Sequence, residues 1–223
     1  MQALWKITAL FLTLSPSLAE AGAWLREKGT GFSSTAFTIT ADQDIANTTY
    51  LEYGLRPNLT LGADVRLGRD TFGSQDGFAT LFLRKPLSNP EKDSKWAYEL
   101  GFGATWDDTL VEPHVKAGLS WGRGIQWGDR YGWMSVDSSL RWDITTSRST
   151  TKIDSTIGLG FTEVTTGMLQ LYLTDFDGTS SASLAPSLIL QPRGKKFRVQ
   201  VGAEAPLDDT DDTALKLGLW RDF

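Results

Sequence analysis

Three features predict an all-β fold, a closed antiparallel up-and-down transmembrane β-barrel of about twelve strands. A two-residue period in polarity runs through most of the chain. Beyond its first residues the sequence has no apolar run long enough for a membrane helix, and two tryptophans on one strand face are spaced by about the thickness of a bilayer. The period is plainest in Leu59, Leu61, Ala63, Val65 and Leu67, which alternate with Thr60, Gly62, Asp64, Arg66 and Gly68. Alternate side chains of a strand point to opposite faces, so this segment has one apolar and one polar surface.

The elements follow in order. Lys6, the apolar run Ile7 to Leu14, and Ser15 to Ala19 with its small residues form a secretory signal. The run is far shorter than the roughly 20 residues a membrane helix needs. Residues 1–19 are therefore expected to be removed, with cleavage after Ala21 as the alternative, leaving 20–223 as one barrel domain. Strands are expected at 31–41, 46–54, 59–68, 75–85, 95–106, 110–122, 131–142, 151–161, 166–175, 182–191, 196–204 and 213–223. Turn residues separate them, among them Arg56-Pro57-Asn58, Ser88-Asn89-Pro90, Asp107-Asp108, Asp177-Gly178 and Pro192-Arg193-Gly194. The fourth and ninth strands carry apolar residues on both faces, which leaves ten as the alternative count.

A soluble barrel turns its apolar face inward, and a transmembrane one turns it to lipid. Trp96 and Trp106 share a face with Tyr98, Leu100, Phe102 and Ala104. Ten residues at about 3.3 Å each, tilted by roughly 40°, project to about 25 Å, the height of an outer-membrane barrel's apolar band. The two rings then stand at the two headgroup levels, and Trp121 and Trp142 are expected at the same interfaces. Opposite them lie Gly and charged residues, which suit a crowded polar lumen better than a solvated surface.

The chain closes with Leu215, Leu217 and Leu219 alternating with Lys216 and Gly218, then Phe223. This strand resembles the C-terminal signal by which Gram-negative outer-membrane barrels are recognised for insertion. Arg221 departs from that pattern, with Trp220 beside it as a partial compensation. The stretch from Glu52-Tyr53-Gly54-Leu55 to Leu59-Thr60-Leu61-Gly62, with Gly22-Ala23-Trp24 and Leu217-Gly218-Leu219-Trp220, resembles uncharacterised proteobacterial envelope barrels. Those are similar in turn to the transporter-like barrels linked to meta-pathway phenol-degradation operons. The resemblance implies a transport-type protein of the bacterial outer membrane and supplies no catalytic or ligand residue.

Function is expected in the lumen. The inward faces hold Arg66, His114, Lys116, Arg141, Lys152 and Arg198 beside Asp64, Glu99, Glu112, Asp137, Asp154 and Glu204, with Asp143, Gln200 and Lys216. These groups either pair across the lumen and fill it, or form charged rings along a narrow aqueous path for a small solute. His114, the single histidine, falls on the lumen side with Glu112 and Lys116, the wrong face for a lipid-facing Ser–His phospholipase, so no catalytic residue is expected. With no Cys there is neither a disulfide scaffold nor a thiolate metal site. Asp208-Asp209-Thr210-Asp211-Asp212 reads as a solvated acidic loop rather than a Ca²⁺ site, so no metal or cofactor is expected. A formal charge of −5 provides no basic stripe for nucleic acid. The expected partners are outer-membrane lipids, the barrel-assembly machinery and a small solute, and a monomer is expected. The longest connections, 68–74, 86–94, 123–130, 143–150 and 205–212, are short enough to argue against protruding recognition loops and a large internal plug.

Overall fold

The strands pair in chain order and the last returns to the first, so no sheet edge is left open. The computed structural model describes residues 22–89 and 91–223. The predicted signal and Pro90, the last residue of a predicted turn, lie outside the described residues.

The strands are β1 (Gly31–Ile39), β2 (Ile45–Arg56), β3 (Leu59–Arg69), β4 (Gln75–Pro86), β5 (Ser94–Asp107), β6 (Val111–Trp127), β7 (Arg130–Asp143), β8 (Ser149–Gly160), β9 (Thr165–Phe176), β10 (Thr179–Leu190), β11 (Phe197–Pro206) and β12 (Ala214–Asp222). All neighbouring pairs are antiparallel, and β1 closes on β12 from Phe32↔Asp222 to Ile39↔Leu215. Twelve strands are present, so the count of ten falls. β6 and β7 continue through most of 123–130, where the sequence predicts a connection, and only Gly128 and Asp129 turn. Asp177 and Gly178 both have positive φ, 49° and 87°, as a two-residue hairpin turn of the primed type requires.

The rim where β1 begins and β12 ends is the terminal rim, and the opposite one is the far rim. Register assigns every side chain to a face. Leu100 and Phe102, at 60% and 67% exposure, point outward, while Glu99 and His114, at 5% and 1%, point inward. Large apolar groups outside and charges inside are the inverse of a soluble domain, and the outer belt is that of an outer-membrane β-barrel. Trp96 and Trp121 stand opposite one another on the outer face toward the terminal rim. Trp106 and Trp142 lie next to the far-rim ends of β5 and β7.

One residue near the C-terminus is corrected. Trp220 points inward and is buried, while Arg221 points outward and is exposed, so Trp220 does not stand in for Arg221 against lipid. Instead Trp220 meets Phe32 edge-on, with centroids 6.0 Å apart, in an apolar cluster with Trp133, Met168 and Ile189 that also receives Trp24 and Tyr50. All five core members of this cluster sit near the terminal-rim ends of their strands.

Candidate functional site

The lumen has three levels, and the lowest is filled by residues that precede the first strand. The connections are short, as the sequence implies, but the segment 22–30 turns back into the barrel from the terminal rim. The filling at this rim therefore comes from the chain ahead of β1 rather than from a loop. Ala23 is buried. Trp24 covers Gly122, where an added Cβ would stand 2.3 Å from its ring, so only glycine admits the indole there. The Arg26 backbone N–H donates to Thr60 Oγ1 at 3.1 Å and its Nε to Glu52 Oε2 at 2.6 Å. Nearer the rim, the Gly29 N–H donates to the Gly54 carbonyl at 2.8 Å and the Gly54 N–H to the Thr30 carbonyl at 3.0 Å.

The middle level is a chain of alternating charges. Glu52, held by Arg26, also accepts from Tyr50 Oη at 2.7 Å and from Arg84 Nη1. Arg84 continues to Glu99 Oε2, 2.5 Å from Nη2 and 3.1 Å from Nε. Lys116 lies 2.9 Å from Glu99 and 3.7 Å from Asp64. Register explains the assembly, since Arg84 stands opposite Glu99 and both Thr60 and Gly62 stand across from β4. The Phe82 ring lies over Gly62, where an added Cβ would be 2.0 Å from Cζ, and Arg84 and Lys116 hold their cations 5.1 and 5.2 Å from that ring's centroid. Buried charges are thus paired, hydrogen-bonded and backed by an aromatic face. Across the lumen Lys216 donates to Tyr172 Oη at 3.0 Å and Glu204 at 3.2 Å.

The upper level opens to the far rim as a cavity of about 410 Å³, whose walls include Arg66, Glu112, Arg141, Arg148 and Lys152. Arg66 pairs with Asp76, and Arg148 Nη2 with Glu112 Oε2 at 2.6 Å. Arg148 lies in the far-rim connection, and its hydrogen bond to Glu112 raises its pKa above the ordinary guanidinium value. Arg141 stacks 4.4 Å over Phe78 and donates to Thr150 Oγ1 at 3.3 Å, but its buried Nε has no hydrogen-bond partner. Glu112 Oε1 is likewise unpartnered. Arg141 therefore has bonding capacity left over on its buried side.

The remaining sequence-selected residues are dispersed. Arg198 pairs with Asp222 near the terminal rim, and Lys152 lies 3.6 Å from Asp154. His114 sits between Thr80 Oγ1, 2.8 Å from Nε2, and Thr105 Oγ1, 3.1 Å from Nδ1, as a hydrogen-bonded wall residue. Among the described residues no three His, Asp or Glu side chains gather into a metal site. Three members of the middle level, Tyr50, Glu52 and Arg84, escaped the sequence reading. Arg84 shares its face with Phe78 and Phe82, which obscures the polar alternation, and stepping back by twos from Pro86 would have found it.

No protein-family model and no curated protein matches the sequence. Solved structures do share the fold. An outer-membrane channel from Pseudomonas putida F1 superposes with a TM-score of 0.54 at 12% identity, covering 92% of this chain and 100% of its own. The KdgM porin gives 0.57 at 10% identity over 86% and 99% of the two chains, and the KdgM porin in complex with disordered oligogalacturonate gives 0.57 at 10% over 87% and 99%. At these identities the likeness is one of architecture, and the chain has the fold of the outer-membrane β-barrel channels.

Proposed function

We propose that the protein is a narrow transport-type channel of the bacterial outer membrane, in which a charged vestibule at the far rim leads to a constriction closed by residues 22–30. The vestibule of about 410 Å³ carries this reading. It has room for a small solute, and Arg66, Arg141, Arg148 and Lys152 give its walls positive charge. The closure is made of a non-strand segment, and such segments open at lower free-energy cost than a paired barrel wall.

The test is conductance of the mature protein in planar bilayers, beside a Trp24→Ala/Arg26→Ala variant. Low or intermittent current in the wild type should rise several-fold in the variant, because the indole over Gly122 and the tie to Glu52 are both lost. Equal silence from both proteins, shown to be inserted and folded, would reject the channel. The continuous Arg26–Glu52–Arg84–Glu99–Lys116 chain favours a second reading, a structural envelope barrel with a filled lumen, and that silence is its signature.

Ion preference gives a further check. Arg141→Ala removes a cation from the vestibule while its outward neighbours are untouched, so the reversal potential in a salt gradient should move toward cation preference. An unchanged potential in a conducting barrel would remove Arg141 from the solute path.

A further inference from the structure

Asp137 and Asp154 are directly opposed on the inward faces of β7 and β8. Like charges in that position repel. Each also has a buried Oδ1 without a hydrogen-bond partner. The nearby Lys152 approaches Asp154 Oδ2 and is half-exposed, and Arg84 is taken by Glu52 and Glu99. Among the described residues Asp137 has no ion-pair partner of its own, and the two carboxylates share the one nearby Lys152.

Gly22 lies against it. A Cβ built on Gly22 would stand 1.9 Å from Asp137 Oδ1, so the backbone itself is in contact with the carboxylate. Standard bond lengths then place the Gly22 nitrogen within about 4.4 Å of that oxygen. In a continuous chain this nitrogen is a neutral amide, but after cleavage between Ala21 and Gly22 it is an α-ammonium.

We propose that the mature chain begins at Gly22 and that its α-ammonium is the counter-ion of the Asp137–Asp154 pair. Hydrolysis adds one water across the Ala21–Gly22 peptide. The hydroxyl goes to the Ala21 carbonyl carbon, giving a carboxylate that leaves with the signal, and the nitrogen is left as the ammonium. Cleavage after Ala19 would instead leave the Gly22 nitrogen a neutral amide, with no positive charge gained at the pair. Both the unpartnered oxygens and the side-chain-free residue touching one of them follow from the first site and not from the second. The proposal stands whether or not the barrel conducts.

The experiment is intact-mass analysis of protein extracted from the membrane, followed by amine-selective labelling of the N-terminus near neutral pH, folded and heat-unfolded. A mass starting at Gly22 is expected, with N-terminal labelling at least about tenfold slower in the folded barrel, equivalent to one pKa unit of protection. Asp137→Asn, checked for folding by heat-modifiable gel mobility, should recover most of that rate. A mass starting at Glu20 overturns the proposal. So does a Gly22 terminus labelled equally fast folded and unfolded, a comparison that needs no variant. A folded Asp137→Asn barrel that labels as slowly as the wild type refutes the pairing.

Discussion

Arg84→Ala is expected to destabilise the folded barrel by about 3–5 kcal/mol, the usual result of removing one partner from a buried ion pair. The guanidinium is 4% exposed and bonds Glu52, Glu99 and Tyr50 together. Without it two buried carboxylates face one another, with Arg26 and Lys116 holding only their outer sides. Urea unfolding in lipid vesicles measures the loss. Replacing Arg84, Glu52 and Glu99 together by apolar residues of similar volume should restore only part of it, because Arg26 then loses Glu52 and Lys116 keeps only Asp64 at 3.7 Å after losing Glu99. A single variant as stable as the wild type would mean that water or mobile ions already screen this level, and that the lumen is wetter than its burial implies.

Leu100→Arg is expected to cost about 2–4 kcal/mol in vesicles, as lipid-facing arginine does near the bilayer midplane. Leu100 and Phe102 lie between Trp96 and Trp106 on the outer face of β5. The same substitution at Val111, which stands opposite Trp106 at the far-rim end of the belt, should cost about 1 kcal/mol or less, since the penalty falls toward the interface. A flat profile between the two positions would remove the bilayer from the outer face of β5.

The period-of-two pattern was enough to read the wall of the barrel. A face that alternates Leu, Val and Trp with Gly, Thr and charge has one stable arrangement in a closed membrane sheet, and strands such as β3 and β5 state it without ambiguity. β4 and β9 do not, for a physical reason. Their inward faces carry Phe78 and Phe82, and Met168, Tyr172 and Phe176, because a narrow lumen needs large side chains to fill it. Several of these rings support cations, as Phe78 does for Arg141 and Tyr172 for Lys216. Apolar residues inside a transmembrane barrel thus blur the signal that identifies it. The segment 22–30 was illegible for another reason. It has no period, and its place is set by tertiary partners that the sequence scatters widely, Gly122, Glu52 and Thr60. Turn chemistry is local and readable at Asp177-Gly178, whereas 123–130, rich in glycine, looks like a loop although Arg123 to Trp127 pair with Arg130 to Met134.

The seam between β1 and β12 has a kinetic consequence. Every other ladder joins strands adjacent in the chain, so each can form as a hairpin soon after its residues become available. The seam instead joins Phe32 to Asp222, and the Gly31 and Phe223 backbones exchange hydrogen bonds of 2.6 and 3.0 Å. Its loop-closure entropy spans almost the whole described chain, which makes it the contact of highest order and the last expected to form. Until then the sheet has two raw edges able to pair with other chains. The Phe223 ring, laid over Gly31, is the final piece of this closure, so the chain's last aromatic belongs to the step that ends its exposure to aggregation.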